Sequence, residues 1–292
     1  MKLEDKKPII GFIGLGVMGN KMAFHILKQG YKLYVNTRTK SKAKQIIAKG
    51  AVWEDKISKL SQKCDVIISI VGFPLDVKNI YLKKNSILNH AKKGTIVIDM
   101  TTSTPDLAIK IYKVAKKVGI QSLDAPVSGG DLGAKNASLS IMVGGDKKAF
   151  NKAMPILKLM GNNIVYQGKA GSGQHTKAAN QIAIAAGLIA VCESLSYAKK
   201  AKLDPTTVLK SIGKGAARSW SLDNLGPKML DKDMRPGFYI KHFIKDMKIA
   251  SLSSASLKLN TPGLKLALSL YKKMAKMGYE NKGTQALFEL FD

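Results

Sequence analysis

Three glycines at fixed spacing, Gly14-x-Gly16-x-x-Gly19, leave the apolar run IIGFIG and enter the helical pattern that follows. That spacing suits the diphosphate of a dinucleotide. Gly14 allows a tight turn, Gly16 lets the main chain approach the anion, and Gly19 allows a helix to pack closely on the strand. With Leu15, Val17 and Met18 between them, they would set the N-terminus of that helix against the phosphates. A glycine-rich turn without function is the alternative, and the strand before it, the helix after it and its place near the N-terminus weigh against it.

The second strand of such a unit usually ends, roughly 20 residues on, in an acid that holds the ribose hydroxyls. Here the segment reads YVNTRTKSK, and no Asp or Glu occurs between Asp5 and Glu54. Arg38 stands where a guanidinium could grip a ribose 2′-phosphate, with Thr37, Thr39 and Ser41 as neighbouring donors. NADP is therefore favoured over NAD. The competing reading makes Arg38 one more solvated cation.

Positioning these groups requires a sheet. Up to about residue 170, β-rich runs (IIGFIG, YKLYVN, DVIISIV, TIVIDM, QSLDA, LSIMVGG, NIVYQG) alternate with helical stretches such as KMAFHILKQ and TPDLAIKIYKVAKKVG. Alternation of this kind implies a Rossmann-type, doubly wound, mainly parallel sheet. After Gly173 the pattern is helical, beginning with a long segment from about His175 to Ala201. The expected organisation is a dinucleotide-binding domain over residues 1–170 and an all-helical domain over 171–292, divided at the GKAGSG segment.

The chain has 292 residues and a formal net charge of +28. Such a charge raises nucleic-acid or other polyanion binding as a rival function. Only Arg38, Arg218 and Arg235 are arginines, however, and the 45 lysines are spread evenly, 23 up to residue 146 and 22 after it. Specific nucleic-acid recognition, which draws on guanidinium forks, is not expected; salt-sensitive adhesion to polyanions is. The longest unbroken apolar run, Ile182 to Cys192, is well short of the roughly 20 residues that span a bilayer, and MKLEDKKP does not read as a signal peptide. No membrane association and a cytoplasmic location are the expectations. Cys64 and Cys192 suit reduced, buried thiols, and His25, His90, His175 and His242 form no pair at metal-ligand spacing, so no metal is expected.

Four further motifs follow the glycine loop in order: IDMTTSTP at Ile98 to Pro105, DAPVSGGDLGA at Asp124 to Ala134, GSGQHTKAANQ at Gly171 to Gln181, and KDM at Lys245 to Met247. Together they resemble the β-hydroxyacid dehydrogenase family over nearly the whole chain. The resemblance implies hydride transfer between NADP(H) and a small β-hydroxy acid or its semialdehyde, of the 3-hydroxyisobutyrate type. It assigns proton transfer to Lys177, with Asn180 one helical turn on to orient the substrate or the lysine. Gln181 competes with Asn180 for that role. Ser128, Gly129 and Gly130 resemble the family's carboxylate-binding loop, a plain turn being the alternative. Val71, Thr101 and Thr102 would line the cofactor side of the crevice, and Lys245, with Phe238 near it in sequence, resembles a helical-domain lysine that reaches the cofactor. A small carboxylate substrate and a homodimer or homotetramer are the implied partners.

Two departures from the family pattern stand out. The proline after the third strand is displaced in VGFP, and Ala137 replaces a common glycine in GAKNAS. Neither removes a group the chemistry needs. A non-enzymatic protein on the same fold would be expected to lose the lysine or the amides, and imine-reducing relatives usually replace the lysine; Lys177, Asn180 and Gln181 are all present. His175, near Lys177, suits a structural or solvent-facing role better than a proton relay.

Overall fold

The structure, a computed structural model, describes residues 7–292; the first part of the MKLEDKKP segment lies outside the described residues. The chain divides into two compact units, Met1–Lys177 and Ala178–Asp292.

In the first unit the strands are β1 (Ile10–Ile13), β2 (Leu33–Asn36), β3 (Val52–Trp53), β4 (Val66–Ser69), β5 (Ile96–Asp99), β6 (Gln121–Asp124), β7 (Val127–Ser128), β8 (Leu139–Gly145) and β9 (Gly161–Gly168). They form one sheet in the order 3-2-1-4-5-6-8-7, with β9 also paired to β8. The first six are parallel, whereas β8 runs antiparallel to β6 and β7. The order 3-2-1-4-5-6 is that of a Rossmann domain, in which the winding reverses between β1 and β4 and opens a crevice at the strands' carboxyl ends.

Helices α1 (Gly19–Lys28), α2 (Lys44–Ala48), α3 (Ile57–Lys63), α4 (Pro74–Leu82), α5 (Ile87–His90), α6 (Pro105–Lys117), α7 (Gly130–Lys135) and α8 (Lys147–Leu157) connect the strands. Sheet faces covered on both sides explain the unbroken apolar strands. Phe12, Ile68 and Ile98 enter the core that contains Met22 and Ile26 of α1, while Ile13, Ile67 and Val97 point into a second core with Leu60, Tyr81 and Ile111. Consecutive residues thus feed opposite layers, as the two-residue period of a strand requires.

The long helix α9 (Ser172–Lys200) starts three residues earlier than its periodicity suggests. The reason is a cap from far away in sequence: the Asp124 carboxylate accepts the N–H groups of Gly171 at 2.8 Å and Gln174 at 3.0 Å. α9 is also long and apolar enough to cross a bilayer by length and composition, with a mean hydropathy of 1.5 in its most apolar window. A core helix meets the same criterion, and Ala185, Leu188, Cys192 and Leu195 of α9 are buried in the core of the second unit.

That unit continues with α10 (Pro205–Ile212), α11 (Trp220–Leu230), α12 (Ile240–Ser256), α13 (Pro262–Lys276) and a 3-10 turn at Thr284–Leu290. Asp204 caps α10 through the N–H groups of Thr206 and Thr207, as an Asp-Pro start favours. Phe243 meets Tyr271 edge-on at 5.0 Å, and the buried Tyr271 hydroxyl donates to the Thr284 carbonyl at 2.7 Å.

Candidate active site

The glycine loop connects β1 to α1. Gly14 has φ +101°, and a Cβ there would lie 2.1 Å from the Ile70 carbonyl oxygen. At Gly19 a Cβ would lie 2.0 Å from the Gly14 carbonyl oxygen, so both positions exclude a side chain by packing within the protein. Gly16 differs. Nothing lies within 4 Å of its added Cβ, and the position is exposed. A glycine that the protein's own packing does not demand suits a close approach by something else, and α1 begins without a side-chain cap or an acid in its first turn. This cradle fits a dinucleotide diphosphate.

Other crevice groups converge on the loop. Leu15 is buried and its N–H donates to the Thr37 hydroxyl at 3.4 Å, tying the loop to the end of β2. Val17 is exposed and Met18 half-buried. Val71, whose Cγ1 lies 3.3 Å from the added Cβ of Gly14, donates its N–H to the Thr101 hydroxyl at 3.0 Å. Thr101 is buried and Thr102, next to it, is half-buried. Glycine loop, β2 end, Val71 and Thr101 are therefore contiguous.

Beyond β2, Thr37 and Arg38 line a cavity of about 610 Å³ together with Lys40, Trp53, Asp55 and Lys56. Three cations against one carboxylate favour an anion in this cavity. The Arg38 side chain is 85% exposed, and its guanidinium lies 3.6 Å from the Asp76 carboxylate, too exposed a pair to immobilise it. Thr39 is exposed at the start of the 3-10 turn that follows. Neither Trp53, on the two-residue β3, nor Lys56 stands out in the sequence.

Ser128 ends β7, and Gly129 (φ +124°) and Gly130 (φ +61°) lead into α7. Two consecutive left-handed residues turn the chain so that only glycine is unstrained there. α7 is held to α1 by the Lys21 ammonium, 3.3 Å from the Asp131 carboxylate.

Lys177 is 6% exposed, well buried for a lysine. His175, two residues before it, is exposed. Helix α9 is anchored by Gln174, whose Oε1 accepts the Ser103 N–H at 2.9 Å and whose Nε2 donates to the Thr101 carbonyl at 2.8 Å. Two buried carboxylates lie behind this anchor. Burial pushes the carboxyls of Asp99 and Asp124 up to about 6, although hydrogen bonds to each oppose the shift. Asp99 accepts the Thr101 N–H at 3.2 Å and the Ser69 hydroxyl at 2.9 Å, both on Oδ1.

In the second unit, Asn180 donates through Nδ2 to Gln181 Oε1 at 2.7 Å, and Gln181 donates through Nε2 to Asp246 Oδ2 at 2.7 Å. Gln181 and Asp246 are each 2% exposed. The Lys245 ammonium lies 2.9 Å from Asp246 Oδ1 but outside hydrogen-bonding geometry, so the contact is an ion pair without a directed bond. Phe238 stacks on His242 at 6.5 Å between centroids. Burial and the Lys245 charge hold the His242 imidazole below its usual range. Asp246 and Gln174 escaped the sequence reading because their partners are distant in sequence. The KDM and GSGQ motifs held both residues but offered no role for them.

Among the described residues no cluster of three His, Cys, Asp or Glu side chains could hold a metal ion. Cys64 and Cys192 are buried, and burial pushes both thiols up to about 12.

Comparison with known proteins identifies the family. Residues 9–168 match the NAD binding domain of 6-phosphogluconate dehydrogenase, and residues 171–291 match the domain described as the NAD-binding domain of NADP-dependent 3-hydroxyisobutyrate dehydrogenase. The chain is 57% identical to the uncharacterized oxidoreductase YkwC of Bacillus subtilis, covering 98% of this chain and 99% of that protein. It is 44% identical to the probable 3-hydroxyisobutyrate dehydrogenase-like 1, mitochondrial, of Arabidopsis thaliana, over 95% of this chain and 83% of the relative. Among solved structures it resembles Mycobacterium tuberculosis 3-hydroxyisobutyrate dehydrogenase with L-serine, at a TM-score of 0.88 and 27% identity, covering 97% and 98% of the two chains. The chain belongs to the β-hydroxyacid dehydrogenase family. It is an NAD(P)-dependent oxidoreductase acting on hydroxy acids.

Proposed function

We propose that this dehydrogenase uses NADP(H), acts on a small β-hydroxy acid or its semialdehyde of the 3-hydroxyisobutyrate type, and employs Lys177 as general acid/base. The observation that carries the reading is the burial of Lys177 at the start of α9, anchored by Gln174 to the Thr101–Ser103 loop at the crevice. A nicotinamide dinucleotide supplies the hydride acceptor or donor. Lys177 takes the hydroxyl proton as the carbon is oxidised and returns it in reduction. A base role requires its ammonium to lose a proton more readily than in water.

Gly14, Gly16 and Gly19, with Leu15, Val17 and Met18, would hold the diphosphate. Thr37, Arg38 and Thr39 would bind the 2′-phosphate, and Val71, Thr101 and Thr102 would line the nicotinamide side. The family resemblance also assigns Phe238 and Lys245 to the cofactor. Ser128, Gly129 and Gly130 would take the substrate carboxylate through a hydroxyl and exposed N–H groups. Gln181 spends both ends of its amide inside the protein, so Asn180 is the amide assigned to the substrate, with Gln181 as its support. L-serine, present with the M. tuberculosis relative, is itself a carboxylic acid with a hydroxyl on the β-carbon, which supports this substrate class.

A cytoplasmic, membrane-free homodimer or homotetramer is part of the proposal. The rival reading, a polyanion-binding protein on a dehydrogenase-like scaffold, rests only on the charge of +28, and family membership does not favour it. A panel of 3-hydroxyisobutyrate, L- and D-serine, and glyoxylate, succinic and tartronate semialdehydes, each assayed with both cofactors, tests the reading. Turnover of at least one panel member with NADPH or NADP⁺ is expected; turnover of none by folded, cofactor-binding protein would overturn the substrate class.

A further inference from the structure

We infer that Gln174 is a positioning residue for Lys177, locking the first turn of α9 to the loop after β5; the inference rests on the acid/base role proposed for Lys177. Gln174 is 1% exposed, and both ends of its amide bind one loop. The Ser103 N–H donates to its Oε1 at 2.9 Å, and its Nε2 donates to the Thr101 carbonyl at 2.8 Å. Opposed bonds to main-chain groups two residues apart fix the side chain in place and in rotation.

The start of the helix beneath it is tied to β6 as well, by its main chain. The N–H of Gln174 itself donates to Asp124 Oδ2 at 3.0 Å, and a Cβ at Gly173 would lie 2.4 Å from the Met142 carbonyl oxygen and 2.5 Å from that of Asp124. Lys177 follows Gln174 by three residues, one helical turn, and so shares its face. The loop that Gln174 grips is the same one whose Thr101 receives the Val71 N–H at the crevice. One amide therefore ties the lysine's helix directly to the Thr101–Ser103 loop.

Packing alone does not call for this residue. A methionine of similar length would fill the volume but leave the Ser103 N–H and the Thr101 carbonyl without these partners. The geometry repays the glutamine if the ammonium must be held to within a fraction of an ångström of the reacting atoms, where a misplacement of about 1 Å costs on the order of 100-fold in rate.

The test compares Gln174→Met and Gln174→Glu with the wild-type enzyme in kcat, its pH profile, KM for cofactor and Tm. Gln174→Met should lose about 10- to 100-fold in kcat while cofactor KM moves by less than about threefold. In Gln174→Glu a protonated carboxyl can donate to the Thr101 carbonyl and accept from Ser103, whereas the carboxylate can only accept. Its kcat relative to wild type should therefore rise as pH falls, a dependence that mere loss of packing would not produce. Wild-type kcat in folded Gln174→Met would overturn the inference. If that variant does not fold, a pH-independent ratio for Gln174→Glu would do the same. Lys177→Ala separates the two ideas: full activity there removes the acid/base reading itself, whereas an inactive Lys177→Ala beside a fully active Gln174→Met removes only the role of Gln174.

Discussion

Asp99 and Asp124 are register partners on the parallel strands β5 and β6, and both carboxyls are buried. Burial raises Asp99 from the ordinary 3.8 to about 6, so the folded protein holds this proton more tightly than the unfolded chain does. Protonation thus stabilises the fold. The contribution is complete below about pH 4 and is lost as pH rises through about 6. Asp99→Asn keeps an Oδ1 acceptor for the Thr101 N–H and the Ser69 hydroxyl. Relative to this variant the wild type should lose on the order of 2 kcal/mol between pH 4 and pH 7. Denaturant titrations of both proteins across that range check it, and a pH-independent difference would contradict it.

The proposed preference for NADP(H) rests on the end of β2. Arg38 is exposed on the wall of a cavity that also bears Lys40 and Lys56, with no acid at the ribose position of the strand. A charge-assisted contact to the 2′-phosphate contributes roughly 1.5–3 kcal/mol, or about 10- to 100-fold in kcat/KM. Arg38→Ala should raise KM for NADPH and leave that for NADH nearly unchanged, and Thr37→Asp should turn the preference toward NADH. Steady-state kinetics with both cofactors at fixed salt measure this; wild-type preference for NADH would contradict it.

Ala137 adopts φ +53° just after α7. The left-handed conformation costs an alanine about 1–2 kcal/mol, part of which glycine returns through the entropy of its unfolded state. Ala137→Gly should raise stability by about 0.5–1 kcal/mol with kcat unchanged. Thermal unfolding checks it, and a lowered Tm would show that the turn is not strained.

What the sequence disclosed follows from how local each constraint is. Gly14 and Gly19 were legible because a backbone turn and a helix–strand contact admit no side chain, and the spacing is set within six residues. The strands Ile10–Ile13, Val66–Ser69 and Ile96–Asp99 were legible because covering on both faces makes them apolar up to Ile13, Ile68 and Ile98. β3 and β7, two residues each, carry no periodicity to detect. Lys177 is one of 45 lysines, and only its motif distinguished it. Asp124 was invisible as the cap of α9 because it acts on Gly171 and Gln174, 47 and 50 residues away. The basic cavity was half legible: Thr37 and Arg38 lie on the strand end, whereas Trp53 and Lys56 join them only through the pairing of β2 with β3.

The proposed mechanism depends most on the amine of Lys177. Lys177→Ala should fold, bind NADP(H) with a Kd within about threefold of wild type, and lose at least ~100-fold in kcat, as removal of a general acid/base entails. Steady-state turnover of the best panel substrate, read beside cofactor binding by nicotinamide fluorescence, is the direct measurement. Intact cofactor binding with collapsed kcat is the predicted result; a folded Lys177→Ala enzyme with wild-type kcat would contradict it.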